Sequence, residues 1–312
     1  MWIALIIIAA VIGLITFALY AIYGMVFRGL HGENVPGGTF GDGTYDKEIQ
    51  TLTAQMKERP FEEIFICSYD NKILRAKLYR GKDGYPVDIC CHGYRGLGVR
   101  DYCAMGQYLI DKGDTVILID QRAHGFSEGR SICYGIRERR DVQLWAEYAA
   151  SRFKDVDIYL YGISMGAATV LMASSLKLPE NVRAILADCP FSSPKKIIKY
   201  VAHGMHLPEN LLYPLIRLSG LTFGGLHIPS KFSAANEVKK AKVPILIIHG
   251  EDDSFVPAFM SEEIADANPE LVERHTFPNA DHGLSYLVDR ERYIGIVESF
   301  LSRVKETRQN ES

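Results

Sequence analysis

The sequence predicts an α/β domain built on a mostly parallel sheet, preceded by one apolar helix. Three observations carry this. Short apolar runs alternate with helical patterns through most of the chain, the order expected when helices cover a parallel sheet. The later runs are nearly continuous rather than alternating, as strands buried on both faces are. No Asp, Glu, Lys or Arg precedes Arg28, in a chain of 312 residues that is 23% charged, so the first segment is unlike the rest. A hydrophobic content of 47% supports a sizeable core and excludes disorder. The 27 Gly and 13 Pro show no period, which excludes collagen-like and low-complexity chains. A formal net charge of -3 argues against nucleic acid as a partner, because binding it needs a basic surface.

Residues 1–27 read MWIALIIIAAVIGLITFALYAIYGMVF. As a helix they would span roughly 40 Å, against a hydrocarbon core of about 30 Å. Trp2, Tyr20 and Tyr23 fall near the two ends, where amphipathic rings favour the membrane interface. A cleaved signal peptide would need a basic start and a small-residue cleavage site; this run has no leading cation and ends in Tyr23, Met25, Phe27 and Arg28. A buried core helix is rarely so long without charge. The preferred reading is a single transmembrane anchor. Basic residues flank only its C-terminal side (Arg28, then Lys47, Lys57 and Arg59), so the positive-inside rule puts the body in the cytoplasm.

Residues 28–60 read as a juxtamembrane linker, with a Gly-rich stretch GGTFGDGTY, followed by a lead-in helix over 46–58. The main body follows over 61–306. Its expected strands are 64–68, 73–79, 87–91, 115–119, 156–161, 184–187, 245–248 and 274–277. The first two form a hairpin around Asp70-Asn71, a turn signal. Helical patterns fill the gaps, for example 136–151 and 165–176. About fifty residues lie between the strand ending near Asp188 and the next, too many for a simple crossover. They carry helical patterns at 193–201 and 209–218, broken by Pro208 and by Gly224-Gly225, and read as a lid over 191–240. Residues 307–312 read as a polar tail.

The strongest chemical signal is Gly162-Ile163-Ser164-Met165-Gly166, placed after one expected strand and before an Ala-rich helix. In that context G-x-S-x-G is a nucleophile elbow: a sharp turn exposes the serine, and glycines let the chain pack closely around it. The helix N-terminus behind it favours developing negative charge. A serine hydroxyl is weak alone and needs a base and an orienting acid. Acidic residues follow the strand at 245–248, in His249-Gly250-Glu251-Asp252-Asp253-Ser254-Phe255-Val256-Pro257. A histidine follows the last strand, in Asn279-Ala280-Asp281-His282-Gly283. Loops after parallel strands lie at one edge of the sheet, and the order serine, acid, histidine is that of an elbow-type hydrolase.

With these residues, and with His92-Gly93-Tyr94-Arg95-Gly96 and Asp120-Gln121-Arg122-Ala123-His124-Gly125-Phe126-Ser127, the chain resembles a serine hydrolase of the α/β-hydrolase superfamily from about residue 61 to 304. It is most similar to a membrane-anchored branch with an HG loop and a DxRxHGxS segment. The resemblance implies an α/β-hydrolase fold with a helical lid. It selects Asp253 over Asp252 as the acid, through the pattern H-G-x-x-D-x-x-V-P. The catalytic residues it implies are Ser164, Asp253 and His282. It also implies that the backbone amides of Tyr94 and Met165 form the oxyanion hole, with His92 and Gly93 supporting that loop, Gly93 by leaving room for substrate. No cofactor and no metal are expected.

The other candidates have plainer readings. His124 orders its own turn and His249 supports the acid loop. His203 and His206 lack a carboxylate or thiol beside them that would make a metal site. The run Arg137-Glu138-Arg139-Arg140-Asp141 reads as a solvated helix start. The six cysteines (Cys67, Cys90, Cys91, Cys103, Cys133, Cys189) show no metal-binding spacing. Cys90 and Cys91, adjacent in an apolar run, read as buried thiols.

The expected reaction is hydrolysis of a carboxylic ester, with a small-molecule or lipid ester as substrate. Leu211, Leu212, Tyr213, Leu215, Ile216 and Phe223 make the lid apolar enough for an acyl chain. A thioesterase shares the catalytic elements. So does a prolyl-oligopeptidase-like peptidase, although the linker is too short for the propeller domain usual there. A non-catalytic, membrane-tethered binding module is the reading from another class, and three filled triad positions argue against it.

Overall fold

The computed structural model describes residues 1–32 and 43–311; most of the Gly-rich stretch lies outside them. Eight strands form one sheet: β1 (Glu62–Cys67), β2 (Ile73–Tyr79), β3 (Val87–Cys91), β4 (Thr115–Ile119), β5 (Ile158–Ile163), β6 (Val182–Asp188), β7 (Ile245–Gly250) and β8 (Val272–Phe277). Their spatial order is β8-β7-β6-β5-β3-β4-β2-β1. The hairpin β1–β2 and the β2–β4 pair are antiparallel; every other pair in the sheet is parallel. Asn71 takes a left-handed φ of 58° in the hairpin turn, a conformation that Asn tolerates better than most residues.

Strands β3, β4 and β7 are buried along their whole length, which explains their unbroken apolar sequence. Successive side chains serve opposite faces. Ile89 and Ile117 join the core that holds Trp145 and Leu171. Cys90 and Leu118 join the core on the other face, with Tyr102, Phe277 and Tyr293. All six cysteines are free, and only Cys67 is exposed. Helices Pro194–Gly204 and Glu209–Gly224 occupy the segment expected to be a lid. Ser193 caps the first, its Oγ accepting from the Lys196 amide at 3.2 Å, with Pro194 at the first position, where a missing N–H costs nothing.

The structure refines two readings and corrects a third. First, the apolar N-terminal helix, Trp2–Val26, has a mean hydropathy of 2.8 over its most apolar 18-residue stretch and is long enough to cross a membrane, but its C-terminal end belongs to the core. Tyr23 and Phe27 are buried, and the Tyr23 hydroxyl lies 2.8 Å from Ser131 Oγ. Helix Glu209–Gly224 packs along this end, and a Cβ at Gly220 would come within 2.9 Å of the Phe27 ring. Second, the linker begins as structure: Leu30 and His31 pair in parallel with His124 and Gly125. Third, the run 137–141 is not solvated, because Glu138 and Asp141 are buried. Glu138 accepts the Cys133 and Gly135 amides at 2.7 and 3.0 Å, and Asp141 receives a two-pronged contact from Arg122 at 2.6 and 2.7 Å. At the other terminus, helix Arg290–Glu311 runs on through most of the expected tail.

Candidate active site

The sheet's register assembles the site. Cys91 of β3 stands opposite Gly162 of β5, and Asp188 of β6 opposite Ile163. Ile248 of β7 stands opposite Asp188, and Phe277 of β8 opposite Gly250. The loops after β3, β5, β7 and β8 therefore leave one edge together.

Ser164 sits between β5 and helix Met165–Ala173 with φ 55° and ψ -115°. For a residue with a Cβ this strain costs about 1–3 kcal/mol and persists only where the surroundings impose it. Here the Ser164 amide donates to Asp188 O at 2.8 Å, while Ser164 O accepts from Ala168 N at 3.0 Å. The flanking glycines are obligatory. A Cβ at Gly166 would lie 1.9 Å from Cys91 O, and one at Gly162 would lie 2.4 Å from Gly166 C.

Ser164, His282 and Asp253 are brought into one hydrogen-bonded row. His282 Nε2 lies 2.9 Å from Ser164 Oγ, and His282 Nδ1 lies 2.7 Å from Asp253 Oδ2. The other oxygen, Oδ1, accepts the Phe255 and Val256 amides at 3.0 and 2.7 Å. Burial alone would raise the Asp253 pKa. The hydrogen bonds from His249 and His282 outweigh it and hold the carboxyl well below the usual carboxylate range. Asp252 is exposed. Asp281 fixes the histidine loop, accepting the His282 amide at 2.6 Å and the Ser254 amide at 2.8 Å.

The loop after β3 is built from backbone contacts. The amides on both sides of Tyr94 are engaged: Gly93 N–H donates to Asp101 Oδ2 at 2.8 Å, and Arg95 N–H to His124 Nε2 at 3.0 Å. Met165 is the first residue of its helix, where an N–H has no intrahelical acceptor. Both Tyr94 and Met165 line the cavity that holds Ser164. His92 braces the loop, its Nε2 accepting the Gln121 amide at 3.0 Å and its Nδ1 lying 2.8 Å from Gly93 O. Burial, with His92 beside it, pushes the His124 pKa well below its ordinary value, so His124 stays neutral and able to accept. Steric demand falls on Gly96 more than on Gly93. A Cβ at Gly96 would lie 2.3 Å from Asp101 Oδ2, whereas one at Gly93 would make ordinary contacts of 3.4 Å.

Sequence reasoning passed over several neighbours. Asp188, buried behind the site, accepts from the Tyr293 hydroxyl at 3.0 Å, and burial pushes its pKa up to about 6. Phe255 packs on the His282 ring, their centroids 5.2 Å apart. His203, expected to have no carboxylate beside it, meets Glu209 at 3.5 Å, because the turn before helix Glu209–Gly224 brings that side chain back to it. Among the described residues, the one His/Cys/Asp/Glu group close enough to ligate an ion is Cys189, Asp253 and His282, two of which already belong to the row. The cavity beside Ser164 measures about 420 Å³ and is walled mainly by apolar side chains, among them Phe191, Ile198, Val201, Leu212 and Ile216 from the lid segment. Such a site can bring a polar reacting bond to Ser164 while an apolar chain leaves water.

Comparison with known proteins agrees with this architecture. Residues 89–216 match the alpha/beta hydrolase fold family. The Bacillus subtilis protein YqkD is 25% identical over 221 residues, 70% of this chain and 72% of its own. The lysophosphatidylserine lipase ABHD12 of Xenopus tropicalis is 25% identical over 189 residues, 58% of this chain, so the match spans less than half (46%) of that relative. Among solved structures, an esterase of Pyrococcus furiosus superposes with a TM-score of 0.64 at 22% identity, covering 89% of this chain and 98% of its own. Est1E of Butyrivibrio proteoclasticus, solved with ferulic acid, superposes at 0.59 and 20% identity, covering 78% and 99%. Sheet order, elbow and these likenesses together give the chain the α/β-hydrolase fold.

Proposed function

We propose that this protein hydrolyses carboxylic esters with an acyl or lipid-like acyl part, through an acyl-enzyme on Ser164. The observation that carries the reading is the row Asp253–His282–Ser164, each step within 2.9 Å, ending at an apolar cavity. His282 Nε2 takes the hydroxyl proton as Ser164 Oγ attacks the carbonyl carbon. Asp253 holds the Nδ1–H tautomer and stabilises the imidazolium. The Tyr94 and Met165 amides receive the oxyanion; removing one such donor typically costs about 10²–10³ in rate. His282 then protonates the departing alkoxide. Water, activated by the same imidazole, cleaves the acyl-enzyme and restores Ser164. No step needs a cofactor.

The apolar wall favours an acyl chain over a polar peptide, in keeping with the esterase and lipase names among the similar proteins. Helix Trp2–Val26 serves as a membrane anchor, with the body on the cytoplasmic side where Arg28 and the following cations lie. The full chain in detergent micelles tests the reading. Ser164→Ala removes p-nitrophenyl ester hydrolysis and labelling by a fluorophosphonate probe, and either one surviving in the folded variant overturns it. Thioesters and peptide amides run beside the ester series identify the preferred leaving group, and protease accessibility in intact cells reads the orientation.

A further inference from the structure

The four carbonyls that end an α-helix have no intrahelical partner. At the end of helix Trp2–Val26, side chains of the body supply partners. Arg95 Nη2 donates to Gly24 O at 3.1 Å, to Met25 O at 3.0 Å and to Arg28 O at 3.3 Å. The Tyr94 hydroxyl donates to Val26 O at 3.0 Å, and the Tyr134 hydroxyl to the same oxygen at 3.1 Å. Arg95 thus places a cation at the negative end of the helix dipole. The residues that make this clamp stand in the loop after β3, and one of them, Tyr94, carries the amide assigned above to the oxyanion. Arg95 itself adopts a left-handed φ of 53°, held between His124 at its amide and the helix at its guanidinium. On the cavity side of the clamp, Ile22, Met25 and Val26 line the same 420 Å³ space as Ser164.

We infer that the last two turns of the apolar N-terminal helix are a working part of the ester site: Ile22, Met25 and Val26 form the wall that sets acyl-chain length, and Arg95 is a positioning residue that holds the Tyr94 amide by gripping the helix end. This rests on the ester-hydrolase reading and narrows it. The cavity falls in the lower part of the usual range for ligand sites, about 300–1,000 Å³, which suits a single acyl chain. One wall of that cavity belongs to the helix that enters the apolar layer, so the acyl chain of a membrane-resident single-chain ester reaches Ser164 along it without crossing water. Tether and site are one structure.

The test uses the full chain in micelles and a p-nitrophenyl ester series from acetate to decanoate. Met25→Trp fills the wall and lowers the ratio of long-chain to short-chain kcat/KM by roughly ten- to a hundredfold, the scale on which an apolar pocket discriminates length. Ile22→Trp does the same and replaces it should Met25→Trp fail to fold. Ile8→Trp, on the same helix but away from the cavity lining, keeps the native profile. Arg95→Ala lowers kcat for the butyrate ester by roughly ten- to a hundredfold, the size of loss that a slight misplacement brings, with little change in KM, and Arg95→Lys recovers part of it. If native turnover depends on Ser164 but the folded wall variants keep the native chain-length profile, the inference fails and the ester reading stands. If the native chain shows no Ser164-dependent turnover on any ester, the reading itself fails.

Discussion

His249 Nε2 lies 3.1 Å from Asp253 Oδ2, the same oxygen that receives His282 Nδ1 at 2.7 Å. One carboxylate oxygen thus holds two imidazoles, and His249, fully buried, also reaches Val256 O at 2.8 Å. The second imidazole locks the acid loop and helps keep Asp253 ionised. His249→Leu removes that donor from a buried carboxylate. The expected result is a loss of about 1–3 kcal/mol in denaturant unfolding at neutral pH, the usual cost of a stranded buried acceptor, together with reduced kcat. Asp253, held below its ordinary pKa, contributes stability that is complete above the unfolded value and is lost as pH falls through the folded one. The variant therefore unfolds at a higher pH during acid titration. An unchanged acid midpoint would show that the His249 contact has no energetic weight.

The two neighbouring aspartates separate by burial. Asp253→Asn leaves the shape intact but presents the wrong partner to His282 Nδ1, a change of the kind that costs about 10⁴ in kcat in triad enzymes. Asp252, exposed at the loop surface, tolerates Asn with turnover within about twofold, since surface substitutions rarely matter. Steady-state kinetics on one ester decide it, and equal effects at the two positions would remove Asp253 from its proposed role.

Asp188 has the opposite electrostatics. Burial lifts its pKa to about 6, against the Tyr293 hydroxyl that donates to it. Between the ordinary value near 4 and this raised one, the folded state binds the proton that the unfolded chain has released. This residue's contribution therefore falls as pH rises from about 4 to 6.5. Asp188→Asn keeps an acceptor for Tyr293 and cannot ionise. Relative to the native chain it gains stability on the order of 2–3 kcal/mol between pH 4 and pH 7, read as diverging Tm curves. Parallel curves across that range would refute the assignment.

Arg122 and Asp141 form an ion pair in which both side chains are 3% exposed, with Asp70 as a second partner of the guanidinium at 3.1 Å. Removing one member strands a buried charge and costs about 3–5 kcal/mol, whereas apolar replacement of both is often far milder. Arg122→Met is accordingly more destabilising than Arg122→Met with Asp141→Leu, in a urea unfolding cycle. The pair anchors the segment after β4 that presents His124 to Arg95, so the single variant also slows ester turnover.

Much of this was legible in the chain. The alternation of apolar runs with helical patterns marks a parallel sheet because strands buried on both faces admit few polar residues. Gly162 and Gly166 mark a turn with no room for a Cβ, and residues after successive strands must share an edge. Glu138 and Asp141 were misjudged because a mixed-sign run looks alike on a wet face and in a buried network. Arg122, which settles the matter for Asp141, lies far from it in sequence. Asp188 and Tyr293 stayed invisible for the same reason: a single acid at a strand end and a tyrosine in a late helix carry no local sign that they face each other.

The sequence by itself determined the class of fold, the strand–turn–helix setting of Ser164 and the apolar character of the first 27 residues, since each depends on local pattern. Tertiary structure alone decided what that apolar helix is attached to. Its last turn is gripped by Arg95 and Tyr94 and lines the cavity around Ser164. A hydropathy pattern records how well a segment tolerates an apolar surrounding, and lipid and protein core satisfy it equally. Only the position of partners for the helix's terminal carbonyls, some seventy residues further along the chain, distinguishes a free tether from a wall of the site.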